Sequence, residues 1–319
     1  MIEVKSKKKP IFSICTEVTN RAGTIIKTLD SIRLQSFKDY EYIIVDNASD
    51  DNSFILINEY LNKHYSFKEK VILKKNKIRD PDIKSWNNPV RIAKGKYIVV
   101  CEGDDWFSKD HLKIISSVIN KYPGVGVIVS PHINQSENTY SEYKGLVSSK
   151  VMLENLLNFS FCPPPSETIF LRENNNKVFL YDQDNFVYAG EYSLLDQIYQ
   201  ANLKTIIIKS KTVHRGIKSK PLIKTYFHIQ DAYHCLLNRW ADKYDNTQRL
   251  VVRKKLLKNF TNILAQELVW ISCDKITFQK FIKECWAIKR FPMLKLLTNI
   301  YILSVIRSKI FLKNWIKTW

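Results

Sequence analysis

Three carboxylates lie within four residues, directly after a run of apolar residues. The segment reads Glu102-Gly103-Asp104-Asp105 and follows Tyr97–Cys101. Like charges packed this closely repel one another unless something neutralises them. A hard divalent cation such as Mg²⁺ or Mn²⁺ can do so, because it binds carboxylate and phosphate oxygens together. The segment therefore indicates a metal and diphosphate site. The alternative is a solvated turn that caps a helix predicted to begin at Lys109.

Two further polar clusters also follow apolar runs. Thr16 to Arg21 comes after Ile11–Cys15, and Asp46 to Asp51 comes after Tyr42–Val45. In open parallel sheets, ligands bind beyond the carboxyl ends of the strands. If the three apolar runs are strands of one such sheet, the three clusters meet at one edge and form a site. Any one cluster alone is also compatible with a helix cap.

The elements that must position these clusters alternate between strand and helix. The predicted strands are Ile11–Cys15, Tyr42–Val45, Lys70–Lys74, Tyr97–Cys101, Val125–Ser130 and Leu203–Lys209. The predicted helices are Thr24–Gln35, Phe54–Asn62, a short helix ending at Val90–Ala93, Lys109–Lys121 and Glu191–Asn202. This alternation predicts an α/β fold with a mixed, mostly parallel sheet flanked by helices. The middle of the chain is less regular and contains a rigid stretch at Cys162–Ser166.

Four sequence blocks follow one another within residues 10–215. They are Phe12–Asn20, Ile43–Asp51, Asn87–Ile98 and Glu102–Asp104. Their residues and their order resemble the inverting family 2 glycosyltransferases of bacterial surface-polysaccharide synthesis. The resemblance implies the GT-A fold, a Rossmann-like fold of nucleotide-diphospho-sugar transferases. It also implies metal-dependent transfer of a sugar from a nucleotide-diphosphate donor to an acceptor hydroxyl group.

The blocks depart from the family pattern at three points. Glu17-Val18-Thr19-Asn20 replaces the usual Pro-x-Tyr-Asn, Pro89 replaces a Gly, and Glu102 replaces the first Asp of Asp-x-Asp. The first departure removes the Tyr that stacks on the donor's base. A UDP-sugar is nevertheless the favoured donor.

The resemblance implies roles for individual residues. Asp46 and Asn47 would contact the nucleoside, to which a carboxylate and an amide can make directional hydrogen bonds. Glu102 or Asp104 would hold the ribose or the metal, and Asp104 or Asp105 the metal. The full set of expected donor-binding residues is Thr16, Glu17, Asn20, Asp46, Asn47, Lys84, Asn87, Glu102, Asp104, Asp105 and Arg215. The expected cofactor is Mn²⁺ or Mg²⁺.

An acidic residue, Glu191, opens the predicted helix that ends near residue 202. Inversion requires a general base that takes the proton of the acceptor hydroxyl. The family places an acid before this helix, and the resemblance puts Glu191 in that position, with Asp196 as the second candidate. A carboxylate can do this work if its pocket tunes its pKa. The alternative is that Glu191 is simply an acid favoured by the helix dipole.

Two basic residues, His214 and Arg215, follow the last predicted strand. Members of the family often carry such groups near the diphosphate. The resemblance therefore makes His214 a candidate metal ligand and lets Arg215 offset the charge of the leaving group. A purely structural histidine is the alternative. Arg79 and Lys84 precede the third block and either contact phosphate or are solvated.

The chain divides near Pro221 into a catalytic domain and a basic tail. Residues 1–221 are expected to form the GT-A domain, with a donor half at about 1–130 and an acceptor half at about 131–221. Residues 222–319 are expected to be helical and carry much of the basic surplus. This charge, the terminal Trp residues and the absence of a run of about 18 apolar residues favour helices that lie on a membrane surface. The alternative is a helical packing domain.

The overall charge restricts the kinds of partner that the protein can bind, and the cysteines restrict its cellular location. Lys and Arg number 50 against 31 Asp and Glu, a formal charge of +19, which favours nucleic acid, anionic lipid or phosphorylated molecules as partners. Nucleic acid does not explain three acidic strand ends, so it is not expected. Six scattered Cys without a zinc-type spacing indicate reduced thiols. Met1–Pro10 lacks the apolar core of a signal peptide. We therefore expect a cytoplasmic protein, peripheral on the inner face of the cell membrane, that acts on a lipid-linked or oligosaccharide acceptor.

Two other functions remain open at this point. A sugar nucleotidyltransferase would share the sheet and the metal, but the loop from Thr16 to Gly23 lacks the glycines of a phosphate-binding loop. A catalytically inactive nucleotide-sugar or glycan-binding module would keep the same residues. Hydrolysis of the donor in the presence of Mn²⁺ would separate an enzyme from such a module.

Overall fold

The apolar run that begins at Phe12 forms a strand inside an eight-stranded sheet. The computed structural model describes residues 9–133, 145–157, 161–186, 189–216 and 231. The first four strands are β1 (Phe12–Val18), β2 (Tyr40–Asp46), β3 (Val71–Lys75) and β4 (Tyr97–Val100). They pair in parallel in the order β3-β2-β1-β4. Buried residues run along all of β1 and β2, with the exception of Glu17 and Glu41, as expected for strands covered on both faces.

The second half of the sheet is mixed. The remaining strands are β5 (Trp106–Phe107), β6 (Val125–Val129), β7 (Leu146–Val147), β8 (Thr168–Leu171), β9 (Glu173–Asn174), β10 (Lys177–Val178), β11 (Lys204–Ile207) and β12 (Val213–His214). The complete sheet has the order β3-β2-β1-β4-β8-β6-β11-β7. β8 is antiparallel to both β4 and β6, whereas β11 runs parallel to β6. β5 with β12, and β9 with β10, form two small antiparallel ribbons.

Helices cover the sheet through apolar stripes. They are α1 (Ile25–Arg33), α2 (Ser53–Lys63), α3 (Tyr65–Lys68), α4 (Asp82–Ile92), α5 (His111–Lys121), α6 (Ser149–Leu157) and α7 (Gly190–Gln200), with a 3₁₀ turn at Pro165–Glu167. In α1, fully buried Ile25, Leu29 and Ile32 recur at the spacing of one helix face. These residues join Phe12 and Ile14 in the main hydrophobic core.

The predicted mixed, mostly parallel sheet flanked by helices is confirmed, with three differences in detail. β1 continues through Thr16-Glu17-Val18, which we expected in a loop, because these residues still pair with Ile44–Asp46 of β2. α4 is a full helix of 11 residues and accommodates Pro89. The third difference is β8, an unpredicted strand between β4 and β6.

Several predictions fall outside the described residues. They are the domain boundary near Pro221, the helical region 222–319 and its contact with a membrane. Among the residues that the structure describes, no helix is both long and apolar enough to cross a bilayer. Cys15 and Cys101 are buried thiols, as the apolar runs around them indicated.

Candidate functional site

The carboxyl ends of three neighbouring parallel strands bring the three polar clusters to one edge of the sheet. Hydrogen bonds connect the clusters directly. The Asn20 amide N–H donates to Ser49 Oγ at 3.0 Å, and the Asp50 amide donates to Asn20 Oδ1 at 2.9 Å. The Thr24 hydroxyl donates to the Gly103 carbonyl at 2.9 Å. The predicted convergence is therefore present, and these loops form the wall of a single site.

The acidic turn after β4 carries its two aspartates almost out of contact with solvent. Asp104 is 9% exposed and Asp105 is fully buried. The Gly216 amide donates to Asp105 Oδ1 at 2.9 Å, and the Arg21 guanidinium lies 3.7 Å from Asp104 Oδ2. A side chain at Gly216 would come within 2.3 Å of the Asp104 carbonyl oxygen, so a glycine is needed there. Two buried carboxylates at this spacing call for a compensating positive charge.

A cleft that is open to solvent lies beside the acidic turn. Its walls include Glu17, Arg21, Trp86, Glu102, Gly103 and Tyr181. The rings of Trp86 and Tyr181 meet edge to face, with centroids 5.4 Å apart. The cleft thus combines an aromatic wall with carboxylates and one guanidinium, a mixture that suits a polar ligand with an apolar face.

Glu17 is the carboxylate that replaces the family's usual Pro, and it is half-buried in this cleft. Burial raises the pKa of Glu17 from 4.5 to about 7. The Thr19 hydroxyl, which donates to Glu17, and the charge of Arg21 lower this pKa, while Asp82 and Glu102 raise it. Glu17 therefore changes its charge near neutral pH.

Glu17→Gln is expected to change how stability depends on pH. The folded pKa of about 7 exceeds the ordinary 4.5, so the unfolded chain releases this proton first. The wild type then loses stability as pH rises from about 4.5 to about 7, and the loss levels off above that window. The variant lacks this loss, so its Tm relative to wild type should rise across the window. About 1 kcal/mol corresponds to about 2–4 °C in Tm for a domain of this size.

Thermal unfolding at a series of pH values measures this effect, with Glu59→Gln as the control. Glu59 is an exposed glutamate on α2 and carries the same substitution outside the cleft. The Tm difference between Glu59→Gln and wild type should stay flat with pH. A flat difference for Glu17→Gln as well would show that Glu17 is not a perturbed carboxyl.

Asp46 and Asn47 end β2, and the structure gives them different surroundings. Asp46 is fully buried, and its Oδ1 accepts from the Ser49 amide at 3.0 Å. Its Oδ2 is buried without a hydrogen-bond partner among the described residues. Asn47 Oδ1 accepts from the Asp80 amide at 2.8 Å and from the Asn76 side chain at 3.0 Å, and the Asn47 side-chain amide donates to the Asp80 carbonyl at 3.0 Å. Asp46 therefore has one buried oxygen without a hydrogen bond among the described residues, and Asn47 fixes the 76–80 loop.

The side chains of three other expected donor-binding residues contact other residues of this chain. Thr16 is fully buried and accepts from the Tyr42 hydroxyl at 3.1 Å in the core. Asn87 is also buried, and its side-chain amide exchanges hydrogen bonds with the Tyr181 backbone at 2.8 and 2.9 Å. Lys84 pairs with Asp80 at 2.7 Å. The structure does not bring these three side chains to the cleft, and their contact with a donor stays a prediction.

Glu191, the proposed base, lies at the start of α7. It lies in the first turn of α7, and its neighbour Gly190 packs against Ile83 and Tyr181. Burial raises the pKa of Tyr181 well above its usual value, and the carboxylates of Glu191 and Glu102 raise it further. Because Tyr181 lines the cleft, the start of α7 at Gly190 packs against a wall of the cleft. Asp196 is fully buried and accepts from the Gln200 side chain at 2.7 Å, a contact that favours a structural role, and its role as a base stays a prediction.

The His214 ring contacts residues that follow the acidic turn. Its ring stacks on Trp106 at a centroid distance of 5.3 Å, and its Nε2 lies 3.0 Å from Ser108 Oγ. Burial lowers its pKa, and Lys27, which lies 3.4 Å from the Trp106 ring centroid, lowers it further. These contacts favour a structural role for His214, although its role toward a metal stays a prediction.

A divalent cation would find oxygen ligands here but not a complete protein cage. Within the described ranges, no group of three or more His, Cys, Asp or Glu side chains is arranged to hold a metal. Asp104 and Asp105 supply hard carboxylate oxygens beside an open cleft. Mg²⁺ is commonly held by one or two carboxylates together with substrate phosphates and water. The two aspartates fit that pattern, because the remaining ligands would come from the diphosphate.

Sequence reasoning missed several residues of the site. Arg21, Trp86 and Tyr181 line the cleft, and Ser166 accepts from the Glu102 amide at 3.0 Å. Arg21 and Trp86 directly follow and precede residues of the predicted blocks, so proximity could have indicated them. Tyr181 and Ser166 carry no such signal, because only the tertiary fold brings them to the acidic turn.

The sequence of this chain matches one protein family and several known proteins. The family described as "Glycosyl transferase family 2" matches residues 13–187. "Amylovoran biosynthesis glycosyltransferase AmsB" of Erwinia amylovora is 29% identical over 115 residues, which are 36% of this chain and 38% of that protein. "UDP-Glc:alpha-D-GlcNAc-diphosphoundecaprenol beta-1,3-glucosyltransferase WfaP" of Escherichia coli is 30% identical over 97 residues, 30% of this chain and 36% of that protein. The matches thus span well under half the length of these relatives.

Solved structures with a similar fold match a larger share of this chain than the relatives found by sequence do. TarS of S. aureus, residues 1–349, superposes with a TM-score of 0.57 at 16% identity, covering 79% of this chain and 72% of that one. The mannosyltransferase PcManGT from Pyrobaculum calidifontis, in complex with GDP-Man and Mn²⁺, superposes with a TM-score of 0.60 at 14% identity, covering 93% of this chain and 81% of that one. At such low identity, the likeness concerns the fold.

Proposed function

The chain belongs to glycosyl transferase family 2 and has the GT-A fold, and from this premise we propose that it transfers a sugar from a nucleotide-diphosphate sugar to an acceptor hydroxyl group with inversion. The observation that carries this proposal is the buried Asp104–Asp105 pair at the edge where β1, β2 and β4 end. Two buried carboxylates beside a polar cleft suit a cation and an anionic ligand that bind together.

Asp104 and Asp105 would hold Mg²⁺ or Mn²⁺. When bound, the cation neutralises the diphosphate and makes it a better leaving group. Arg21 lies 3.7 Å from Asp104 and can offset the charge of the phosphate oxygens that remain. PcManGT, which shares this fold, binds Mn²⁺ together with GDP-Man, and that complex supports the assignment of a divalent cation.

The nucleoside half of the donor is assigned to the end of β2. The unpartnered, buried Asp46 Oδ2 supports this, because a base or ribose that donates a hydrogen bond would satisfy it. We favour a UDP-sugar as the donor. UDP-Glc in the name of WfaP and the complex of TarS with UDP-GlcNAc agree with this choice, whereas PcManGT is described with GDP-Man.

Glu191 is proposed as the general base. It takes the proton of the acceptor hydroxyl as that oxygen attacks the anomeric carbon, and the bond to the diphosphate breaks on the opposite face. Arg215 follows β12, next to Gly216, whose amide binds Asp105. From there its guanidinium can offset the charge that develops on the leaving group.

The acceptor is proposed to be a lipid-linked saccharide in the synthesis of a capsule or O-chain. The name of WfaP includes an undecaprenol-linked acceptor, and that of AmsB includes amylovoran biosynthesis. The basic tail at 222–319 would hold the enzyme on the cytoplasmic face of the membrane, where such acceptors are presented.

The proposal is tested by the thermal stability of the full chain with a panel of UDP-, GDP-, CMP- and dTDP-sugars, with Mn²⁺ and with EDTA. One nucleotide class should raise the Tm with Mn²⁺ only. A ligand at a concentration of about 100 times its Kd raises the free energy of unfolding by about 2.7 kcal/mol, which is easily measured as a rise in Tm. No stabilisation at millimolar concentration would contradict the proposal. Stabilisation without release of the nucleoside diphosphate, with water or any acceptor, would instead favour an inactive binding module.

A further inference from the structure

The carboxylate of Glu17 faces the cleft from the middle one of three neighbouring strands. β1 pairs with β2 on one side and with β4 on the other, and Glu17 is the last but one residue of β1. Asp46 ends β2, and the acidic turn with Asp104 and Asp105 follows β4. Along this edge of the sheet, Glu17 therefore lies between the strand that carries Asp46 and the strand that leads to the aspartate pair.

The covalent order of a nucleotide matches this order of strands. The proposed function assigns the nucleoside to the end of β2 and the diphosphate with its cation to the turn after β4. Two strand spacings, about 10 Å, separate these positions. In a nucleoside diphosphate, the ribose stands between the base and the phosphates. A donor with its base at β2 thus places its ribose over the end of β1, where Glu17 lies.

Glu17 can accept more hydrogen bonds than the protein donates to it. The Thr19 hydroxyl donates to Oε1, and no group of the described residues donates to Oε2. The side chain is half-buried and lines the cleft. An ionised carboxylate has about four acceptor positions on its two oxygens. Glu17 can therefore accept from two neighbouring hydroxyl groups of one ligand.

The other polar side chains near the end of β1 have partners within the chain. Thr16 is fully buried in the core, and Thr19 donates to Glu17. Asn20 Oδ1 accepts from the Asp50 amide at 2.9 Å. Of the polar side chains at this strand end, Glu17 is thus the one placed to bind a ligand over β1.

A second carboxylate beside Glu17 disfavours a phosphate group at this position. β1 and β4 pair as far as Cys15 and Val100, and Glu102 comes two residues later and lines the same cleft. Its charge contributes to the raised pKa of Glu17. Carboxylates repel phosphate oxygens, whereas the hydroxyl groups of a sugar are neutral hydrogen-bond donors. A neutral group with several O–H donors suits this part of the cleft.

We propose, resting on the glycosyltransferase function above, that Glu17 accepts hydrogen bonds from the 2′ and 3′ hydroxyl groups of the donor's ribose and thereby selects ribonucleotide sugars. In dinucleotide-binding α/β folds, an acidic residue binds the 2′ hydroxyl group of a ribose. A UDP-sugar carries both hydroxyl groups, whereas a dTDP-sugar lacks the 2′ group. Loss of a hydrogen bond to a charged group costs about 10- to 100-fold in affinity.

The test measures the Kd of UDP and GDP, of their 2′-deoxy and 3′-deoxy forms and of dTDP on the full chain with Mn²⁺. Titration calorimetry at pH 8 keeps Glu17 ionised, because its pKa is about 7. Wild type should bind each deoxy form about 10- to 100-fold more weakly than the parent nucleotide. In Glu17→Ala, parent and deoxy forms should bind within about twofold of each other. Each ratio compares two ligands on one protein, so it cancels general effects of the substitution.

Two further variants support this comparison. Glu17→Gln keeps the shape of the side chain and loses its charge, so its ratios should fall between those of wild type and Glu17→Ala. It also serves if Glu17→Ala does not fold. Glu59→Ala removes an exposed glutamate on α2, outside the cleft, and should keep the wild-type ratios.

The outcomes separate this inference from the proposed function. Wild-type ratios in both Glu17→Ala and Glu17→Gln overturn the inference alone. A wild type that binds the deoxy forms as tightly as their parents, or that binds dTDP and neither UDP nor GDP, also overturns the inference alone. A wild type that binds none of the nucleotides overturns the proposed function together with the inference.

Discussion

Asp104→Asn is expected to lower sugar transfer about a thousandfold, equivalent to about 4 kcal/mol of transition-state stabilisation. The Asp104 carboxylate is 9% exposed and stands next to fully buried Asp105. An amide of the same shape keeps the packing but removes one of the two anionic ligands proposed for the cation. The cation then binds more weakly, and the leaving diphosphate keeps more of its charge. The unliganded protein should keep about the stability of wild type, because the substitution removes both a repulsion from Asp105 and an attraction to Arg21, 3.7 Å away.

Initial rates over a Mn²⁺ titration measure this effect, together with the Tm of the unliganded protein. Asp39→Asn is the matched control, because Asp39 is an exposed aspartate before β2, away from the strand ends. It should leave rate and metal requirement unchanged. A variant at position 104 that keeps the wild-type rate and Mn²⁺ dependence would remove Asp104 from the metal site.

Glu191→Gln is expected to lower kcat about 10²- to 10⁴-fold, the range typical for loss of a general base. A glutamine side chain cannot accept a proton at neutral pH, but it fills the same space at the start of α7. Donor affinity should stay within about twofold, because Glu191 is not among the residues assigned to the donor. A large fall in kcat with an unchanged donor KM therefore identifies a residue that acts in the chemical step.

Two variants calibrate this result. Asp196→Asn tests the second candidate on the same helix and should lower stability rather than kcat, since Asp196 is buried against Gln200. Glu154→Gln changes an exposed glutamate on α6 and should have no effect. If Asp196→Asn were inactive but folded and Glu191→Gln active, the assignment of the base would be reversed.

The parts of the site that could be predicted are those whose residues lie close together in the sequence. Two apolar strands are followed directly by carboxylates of the site, one by Asp46 and the other by Asp104 and Asp105. Parallel pairing of the strands was enough to bring these carboxylates to the same edge of the sheet. The start of α7 at Gly190 was predicted within one residue, since its apolar spacing is also local.

The remainder depends on contacts between distant parts of the chain. Asn87 occupies the expected block, but its amide holds Tyr181, 94 residues away. The residues next to Asn87 in the sequence do not show whether its side chain binds a ligand or holds another part of the chain.

The position of β8 also has a consequence for synthesis on the ribosome. β1 to β4 can pair as they emerge, but the strand that joins β4 to β6 comes only at Thr168–Leu171. Until then, both strands present unpaired edges, which are prone to wrong partners. A nascent chain that stalls or is cut before residue 168 thus holds the three polar strand ends on an unclosed sheet. The sheet is completed late, because β8 first pairs with β4 and β6, and β11 at Lys204–Ile207 then joins β6 to β7.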